Sequence, residues 1–448
     1  MAGSGKLTLR GGGIAAGVQS PCTNVVSVPL WLRAAQEWQV GAGSRLDVNG
    51  GVAGNGYGSY SVGKTGAGEL HLNAPSPGMG AFTLGSSGVN GGKVVVNTAT
   101  NAFGEASDQE VTIYSKNSEG TGNLTVAAST VIERPFVFAT GSDYGNILKL
   151  HEDVEVRFTK YVKLTGNMRM SCDGRNKVVL EGGGEFMNGW LCFSSAWNMA
   201  EKWPMTEWIF TGENPYDINY LYMSGFVDVT LDAAIRTLNT FEIKSICALR
   251  LTKPYVLDNT VTKGRLNHAS AVFSAVGDQS MGAFDQLTAG TVTSPVPSTV
   301  YCNQGDSAVT NSGVRITGAV AIFKRGSAIF VQDKDSDTTG GMGVGEGTLV
   351  LTEKAKFPNA AIFRVEDEGR AELEARNLLG RGTAVFFDST AQLDLAGDQR
   401  VKEFYIDGVR QSCGIYGSQT SGASNTVTGF SGAGRLIVGN VGLSIVVR

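Results

Sequence analysis

The residues most able to do chemistry are a run of acids, Asp333-Lys334-Asp335-Ser336-Asp337. Alternate carboxylates turned to one side of a loop are what a hard, oxygen-preferring cation such as calcium requires. Glycine is absent at the sixth position of the run and Val344 stands at the twelfth, so no EF-hand is written. The competing reading of Asp333, Asp335 and Asp337 is a solvated turn. The three histidines, His71, His151 and His268, lie in no H-x-x-x-H or H-x-E context, and no G-x-S-x-G elbow accompanies them. Glycoside hydrolysis needs two carboxylates at a defined separation, and the acids here are dispersed with no adjacent pair of aspartates. No further cofactor is implied.

A second group of residues could bind rather than react. Residues 186–226 hold 11 of the chain's 38 aromatics, among them Trp190, Trp197, Trp203, Trp208, Tyr216, Tyr220 and Tyr222. Exposed, they would make a sugar-stacking platform or a subunit interface; turned inward, they would be core. The six cysteines form no C-x-x-C pair. Cys172 and Cys192 are 20 residues apart, which would stack them on adjacent coils of a strand solenoid within disulfide reach.

The elements that must position these groups are nearly all β. Short runs such as Lys93-Val94-Val95-Val96 and Glu110-Val111-Thr112-Ile113-Tyr114 are punctuated by glycine and asparagine, and helical periodicity is nearly absent. Glycine is 61 of 448 residues, without the G-X-Y period of collagen, and 22 of the 61 fall in residues 1–100. With net charge −4 and abundant Val, Leu, Ile and Phe, neither disorder nor nucleic-acid binding is expected. No run of 18 or more apolar residues is present, so no membrane-inserting helix is expected.

A motif, G-x-G-x-L-x-[LV], occurs five times: at Gly3 and Gly5, Gly66 and Gly68, Gly120 and Gly122, Gly345 and Gly347, and Gly432 and Gly434. Two glycines permit a tight turn, and the strand after them turns two apolar side chains to one face. Such a unit buries one face only and needs neighbours stacked on both sides. Copies 63, 54, 225 and 87 residues apart are too irregular for a propeller and suit a solenoid, with coils of about 20–25 residues between recognisable copies. The expected fold is a single right-handed parallel β-helix. Residues 1–400 would form the helix and 401–448 a C-terminal cap, in which Asp407-Gly408 marks a two-residue hairpin.

Val62-Gly63-Lys64-Thr65-Gly66-Ala67-Gly68-Glu69-Leu70-His71-Leu72 and the later Asn90-Gly91-Gly92-Lys93-Val94 resemble the autotransporter-associated β-strand repeat. Trp208-Ile209-Phe210-Thr211-Gly212-Glu213-Asn214-Pro215-Tyr216 resembles a degenerate copy of its turn. The stretch from Phe404 to Gly434 resembles the closing segment of large secreted proteins that carry such repeats. The resemblance implies secretion, a β-helical passenger-like domain and no enzymatic activity of its own. The expected function is therefore that of an extracellular structural or adhesive protein. Its partners would be further copies of itself, joined head to tail or laterally into a fibre or layer, or a cell-surface glycan. Glycan cleavage and a tailspike-like trimer are the alternatives.

Overall fold

A computed structural model of the chain describes residues 5–439, apart from 55–58, 87, 88, 90, 106, 116–122, 141–144, 173, 174, 196–205, 260 and 306–308. Gly120 and Gly122, Trp197 and Trp203 lie outside the described residues. The fold is a parallel β-solenoid of about 16 turns with no helix among the described residues. The chain divides into two compact units, Met1–Asn239 and Thr240–Arg448.

In the first unit, Thr23, Arg45, Glu69 and Lys93 occupy equivalent positions 22, 24 and 24 residues apart, on strands Thr23–Val26, Arg45–Val48, Glu69–Leu72 and Lys93–Val96. Alternation then does the rest: every second residue points inward, and inward residues of successive coils stack. Leu46, Leu70, Val94, Leu124 and Leu148 form one such ladder, and Val48, Leu72, Val96, Val126 and Leu150 the next, all fully buried. In the second unit Phe330, Leu349, Ala371 and Leu393 stack in the same way at 19, 22 and 22 residues. The motif leucines Leu70, Leu72, Leu124, Leu349, Leu351 and Leu436 are thus core rungs, while Leu7 and Leu9 of the first copy are half-buried.

The glycines of that motif divide two duties. Gly66, Gly347 and Gly432 take positive φ, the left-handed turn that favours glycine. Their motif partners do not. At Gly68 a Cβ would stand 2.2 Å from the Gly41 carbonyl oxygen, so that glycine is required by the close approach of the neighbouring coil.

The turns also carry buried cations. Lys64, wholly buried, donates from Nζ to the carbonyls of Gly66 (2.7 Å), Gly68 (2.5 Å) and Gly91 (2.5 Å). Lys324, equally buried, donates to the carbonyls of Gly326 and of Glu346 (2.7 Å), so the same device recurs in the second unit. Arg134 spans several chain segments, from Nε to the Gln109 carbonyl (2.7 Å) and from Nη1 to those of Gly80 (2.8 Å), Met79 and Phe103. Each ion supplies donors to carbonyls that bend out of the strand ladder at a corner.

Beyond residue 400 antiparallel pairs join the parallel ones. Tyr405 and Ile406 pair antiparallel with Arg410 and Val409 around Asp407-Gly408, both at positive φ, as the dipeptide predicts. Gly414–Gly417 runs antiparallel to Arg435–Val438, which pairs in parallel with Gln399–Val401. Arg435 clasps Asp398 through Nε and Nη2, at 3.0 and 2.7 Å.

Burial pushes Lys64 down to about 7 and Lys324 to about 8, from an ordinary lysine value of 10.5. The unfolded chain therefore binds more protons than the folded one above pH 7, and stability rises with pH, by at most about 1.4 kcal/mol per unit for each lysine. The window is pH 7 to 9. Above it the Cys302 thiol, which burial pushes up from 9.0, opposes the trend, because the unfolded thiol then loses its proton first. Urea titrations at pH 7, 8 and 9 should show an increasing midpoint in the native chain and a flatter one in Lys64→Met. Equal slopes in both would refute the assignment.

Candidate functional site

The outward positions of one strand column in the second unit carry the most developed surface feature. Tyr301 pairs with Phe323, Phe323 with Gly343, Gly343 with Arg364, Arg364 with Phe386, and Phe386 with Tyr405. Of these six successive rungs about 4.8 Å apart, Tyr301, Phe386 and Tyr405 are half-buried and Arg364 is exposed, while Phe323 is covered by its neighbours and Gly343 adds no side chain. The inward neighbours Ile322, Met342, Phe363, Val385 and Phe404 are core, so alternation fixes the outward direction of the column.

Its members touch. The Tyr301 and Phe323 rings meet edge to face with centroids 5.8 Å apart; Phe386 and Tyr405 stack at 4.6 Å and 9°. Arg325 lies over Tyr301 at 4.6 Å and near Phe323 at 5.6 Å, and Arg364 lies over Phe386 at 5.2 Å. These are cation–π distances, and they hold two otherwise mobile guanidinium groups in place. Tyr405 donates its hydroxyl to Glu403 (2.8 Å), which also receives Arg410 (3.1 Å). That hydroxyl bond holds the Glu403 carboxyl below its ordinary value and raises the Tyr405 phenol.

The interruption is Gly341–Val344, a strand with glycine at both outward positions, 341 and 343. A Cβ at Gly343 would stand 2.8 Å from Phe323 Cδ2 and 2.9 Å from Arg364 Cβ. Lacking one, the rung is a notch of about 170 Å³ lined by Tyr301, Phe323, Arg325, Gly343, Arg364 and Glu366, among others. Glu366 accepts from Arg364 Nη1 at 3.1 Å.

The aromatic stretch read from the sequence separates into two populations. Trp208 and Tyr216 are core, not platform. Trp208 stacks on Phe193 at 4.2 Å, and the Tyr216 hydroxyl donates to the Leu180 and Thr211 carbonyls. The cause is alternation: Trp208 continues the inward ladder from Val178 to Val229. Trp190, 38% exposed, stacks on Tyr220 at 4.5 Å and lies 6.5 Å from Tyr222, making a smaller outer platform in the first unit.

The acidic run does not converge. Asp333 accepts from Thr352 Oγ1 (2.7 Å) and faces Lys354 (3.4 Å), Asp335 accepts from the Lys356 amide (3.1 Å), and Asp337 faces Arg315 (3.8 Å). No grouping of three metal-ligating side chains occurs among the described residues. The expected calcium site is corrected to a set of separate ties between coils; the Thr352 bond holds the Asp333 carboxyl low.

The expected Cys172–Cys192 disulfide also fails. The two strands are neighbours, but Cys172 pairs with Ser195 and Cys192 with Arg169. A stagger of three residues sets them roughly 10 Å apart along the strand, beyond the ~7 Å Cα limit. The 20-residue spacing is shorter than the local coil of 23, and that mismatch is the stagger.

Compared with family models, curated proteins and solved structures, the chain matches none.

Truncating Trp208 to Ala should cost about 3–5 kcal/mol of folding stability, as for other buried aromatics. Trp190→Ala should cost about 1 kcal/mol, the worth of an exposed aromatic pair. Denaturant titration of the two variants distinguishes the populations, and equal losses would refute the division.

Proposed function

We propose that the protein is a non-catalytic, adhesive β-solenoid that binds an extended glycan along its outward aromatic column. The single observation that carries this reading is the run Tyr301, Phe323, Gly343, Arg364, Phe386, Tyr405, five planar groups with one glycine gap. Planar faces repeated at a fixed rise suit a polymer whose units each offer a C–H-rich face. The column needs no rearrangement to bind, because cation–π and stacking contacts already fix its groups.

Binding is favoured over cleavage by the charges lining the notch. Glycoside hydrolysis requires two carboxylates about 5–9.5 Å apart. Glu366 is the carboxylate among the notch-lining residues, and it is engaged with Arg364. This reading agrees with the extracellular, adhesive role that the resemblance to autotransporter-associated repeats implies.

Alanine at Tyr301 and Phe386 together should weaken binding to the glycans retained by the native chain about tenfold or more, at roughly 0.5–1.5 kcal/mol per stacked ring. Affinity electrophoresis in a panel of soluble polysaccharides measures this. Unchanged mobility shifts in the double variant, with its stability intact, would sink the proposal.

A further inference from the structure

Resting on the glycan-binding reading of this column, we infer that its ligand is an acidic glycan, with a uronic carboxylate received at Arg325. Three observations converge on the notch. First, Arg325 is exposed and stacked on Tyr301, and no ion pair to a carboxylate is seen for it among the described residues. A guanidinium held flat on a ring has already lost much of its freedom and keeps its donors at the edge, where a planar carboxylate can be bound by two of them at once. Second, Arg364 stacks on Phe386 and spends one nitrogen, Nη1, on Glu366, leaving donors on the rest of the guanidinium. Third, two arginines against one carboxylate give the notch a net charge of +1 on a chain whose net charge is −4. A local excess of the opposite sign attracts anions and steers them to this face.

Geometry limits how the two arginines share a ligand. Gly343 pairs with Phe323 on one side and Arg364 on the other, and Arg325 lies two residues beyond Phe323 on its strand. Two rungs of ~4.8 Å and two residues of ~3.3 Å separate the backbones of Arg325 and Arg364 by about 12 Å. They therefore meet different sugar units of one chain. Arg325 takes the carboxylate, and Arg364, half-neutralised by Glu366, holds hydroxyl oxygens. The aromatic planes supply affinity that is indifferent to charge, whereas Arg325 supplies the preference for acid.

The test uses the full chain and hexamers of mannuronic, galacturonic and glucuronic acid, each against the neutral hexamer of its parent sugar. The members of a pair differ only in the carboxylate, and binding is read by calorimetry at low and at physiological salt. At least one acidic hexamer should bind about tenfold more tightly than its neutral counterpart, and salt should weaken it. Arg325→Gln should remove that preference, so that acidic and neutral hexamers bind alike. Glu366→Gln should strengthen acidic binding severalfold, a gain that a misfolded variant could not produce. If neutral hexamers bind as tightly as acidic ones, or Arg325→Gln keeps the preference, the acidic assignment is overturned while glycan binding stands. If a sulfated hexamer exceeds every uronate, the carboxylate is overturned in favour of sulfate. If no hexamer binds, the glycan reading itself falls.

Discussion

One constraint governs each unit: every interior strand must hydrogen-bond the same segment of the coil before it and the coil after it. In-register parallel pairing places equivalent residues directly above one another, so each position along the coil becomes a column. Inward columns are apolar at most rungs, because a side chain there meets only its two stacked neighbours and the opposite walls; the exceptions, such as Lys64 and Lys324, turn their polar ends to corner carbonyls. Insertions are tolerated only where the register can be resumed. The pairing skips between Phe186 and Trp190 and again between Ser294 and Ser298, and in both places the ladder continues on the far side. Coils of unequal length can therefore stack, which is why the glycine motif recurs at uneven intervals.

Corners are where this arrangement is weakest, since a turning backbone leaves carbonyls and amides outside the ladder. Unpaired buried groups are expensive, and the chain meets them with long polar side chains directed inward. Lys64 and Lys324 each gather turn carbonyls. Gln279 receives the Leu257 amide and donates to the Lys253 and Val276 carbonyls; Gln399 does the same with the amides of Leu378 and Leu379 and the carbonyls of Ala375 and Gly397. A glutamine amide suits this place because it offers both donors and an acceptor and carries no charge to desolvate. The lysines carry that desolvation penalty, and it is the origin of the pH dependence derived for them.

Strand content, the solenoid and the Asp407-Gly408 hairpin were legible in the sequence because each rests on local chemistry: alternation, glycine punctuation and a dipeptide with a strong turn preference. The aromatic segment stayed open between core and platform because the choice depends on direction. Trp208 and Trp190 are chemically alike, and only the register with Val178 and with Tyr220 sends one inward and the other out. Cys172 and Cys192 failed for the same reason, a local coil three residues longer than their spacing. The outward column was overlooked although its signal is present: residues 301, 323, 343, 364, 386 and 405 recur every 19 to 22 positions. That period becomes visible only once the coil length is known.

Inward and outward columns answer to different demands, and this separation is what lets a solenoid carry a binding surface. Replacing an inward rung disturbs two stacked neighbours and the core, so inward composition is held to apolar residues of matching size. An outward rung touches only its stacked neighbours on the surface. Most such positions in the second unit carry ordinary charged ladders, as where Arg370 meets Glu372 at 2.7 Å and Asp394 at 3.6 Å. Charged pairs of that kind add little stability. The column from Tyr301 to Tyr405 departs from that pattern in placing aromatic rings where water would favour charge, and in leaving one rung bare between them. The glycines are demanded by the fold, since a Cβ would stand 2.0 Å from the Ile362 carbonyl oxygen at 341 and 2.8 Å from the Phe323 ring at 343, whereas the half-buried rings of Tyr301, Phe386 and Tyr405 lie outside the core. A surface that stacks half-buried rings on its outer face, over a core already closed beneath them, is shaped for something that completes it from outside.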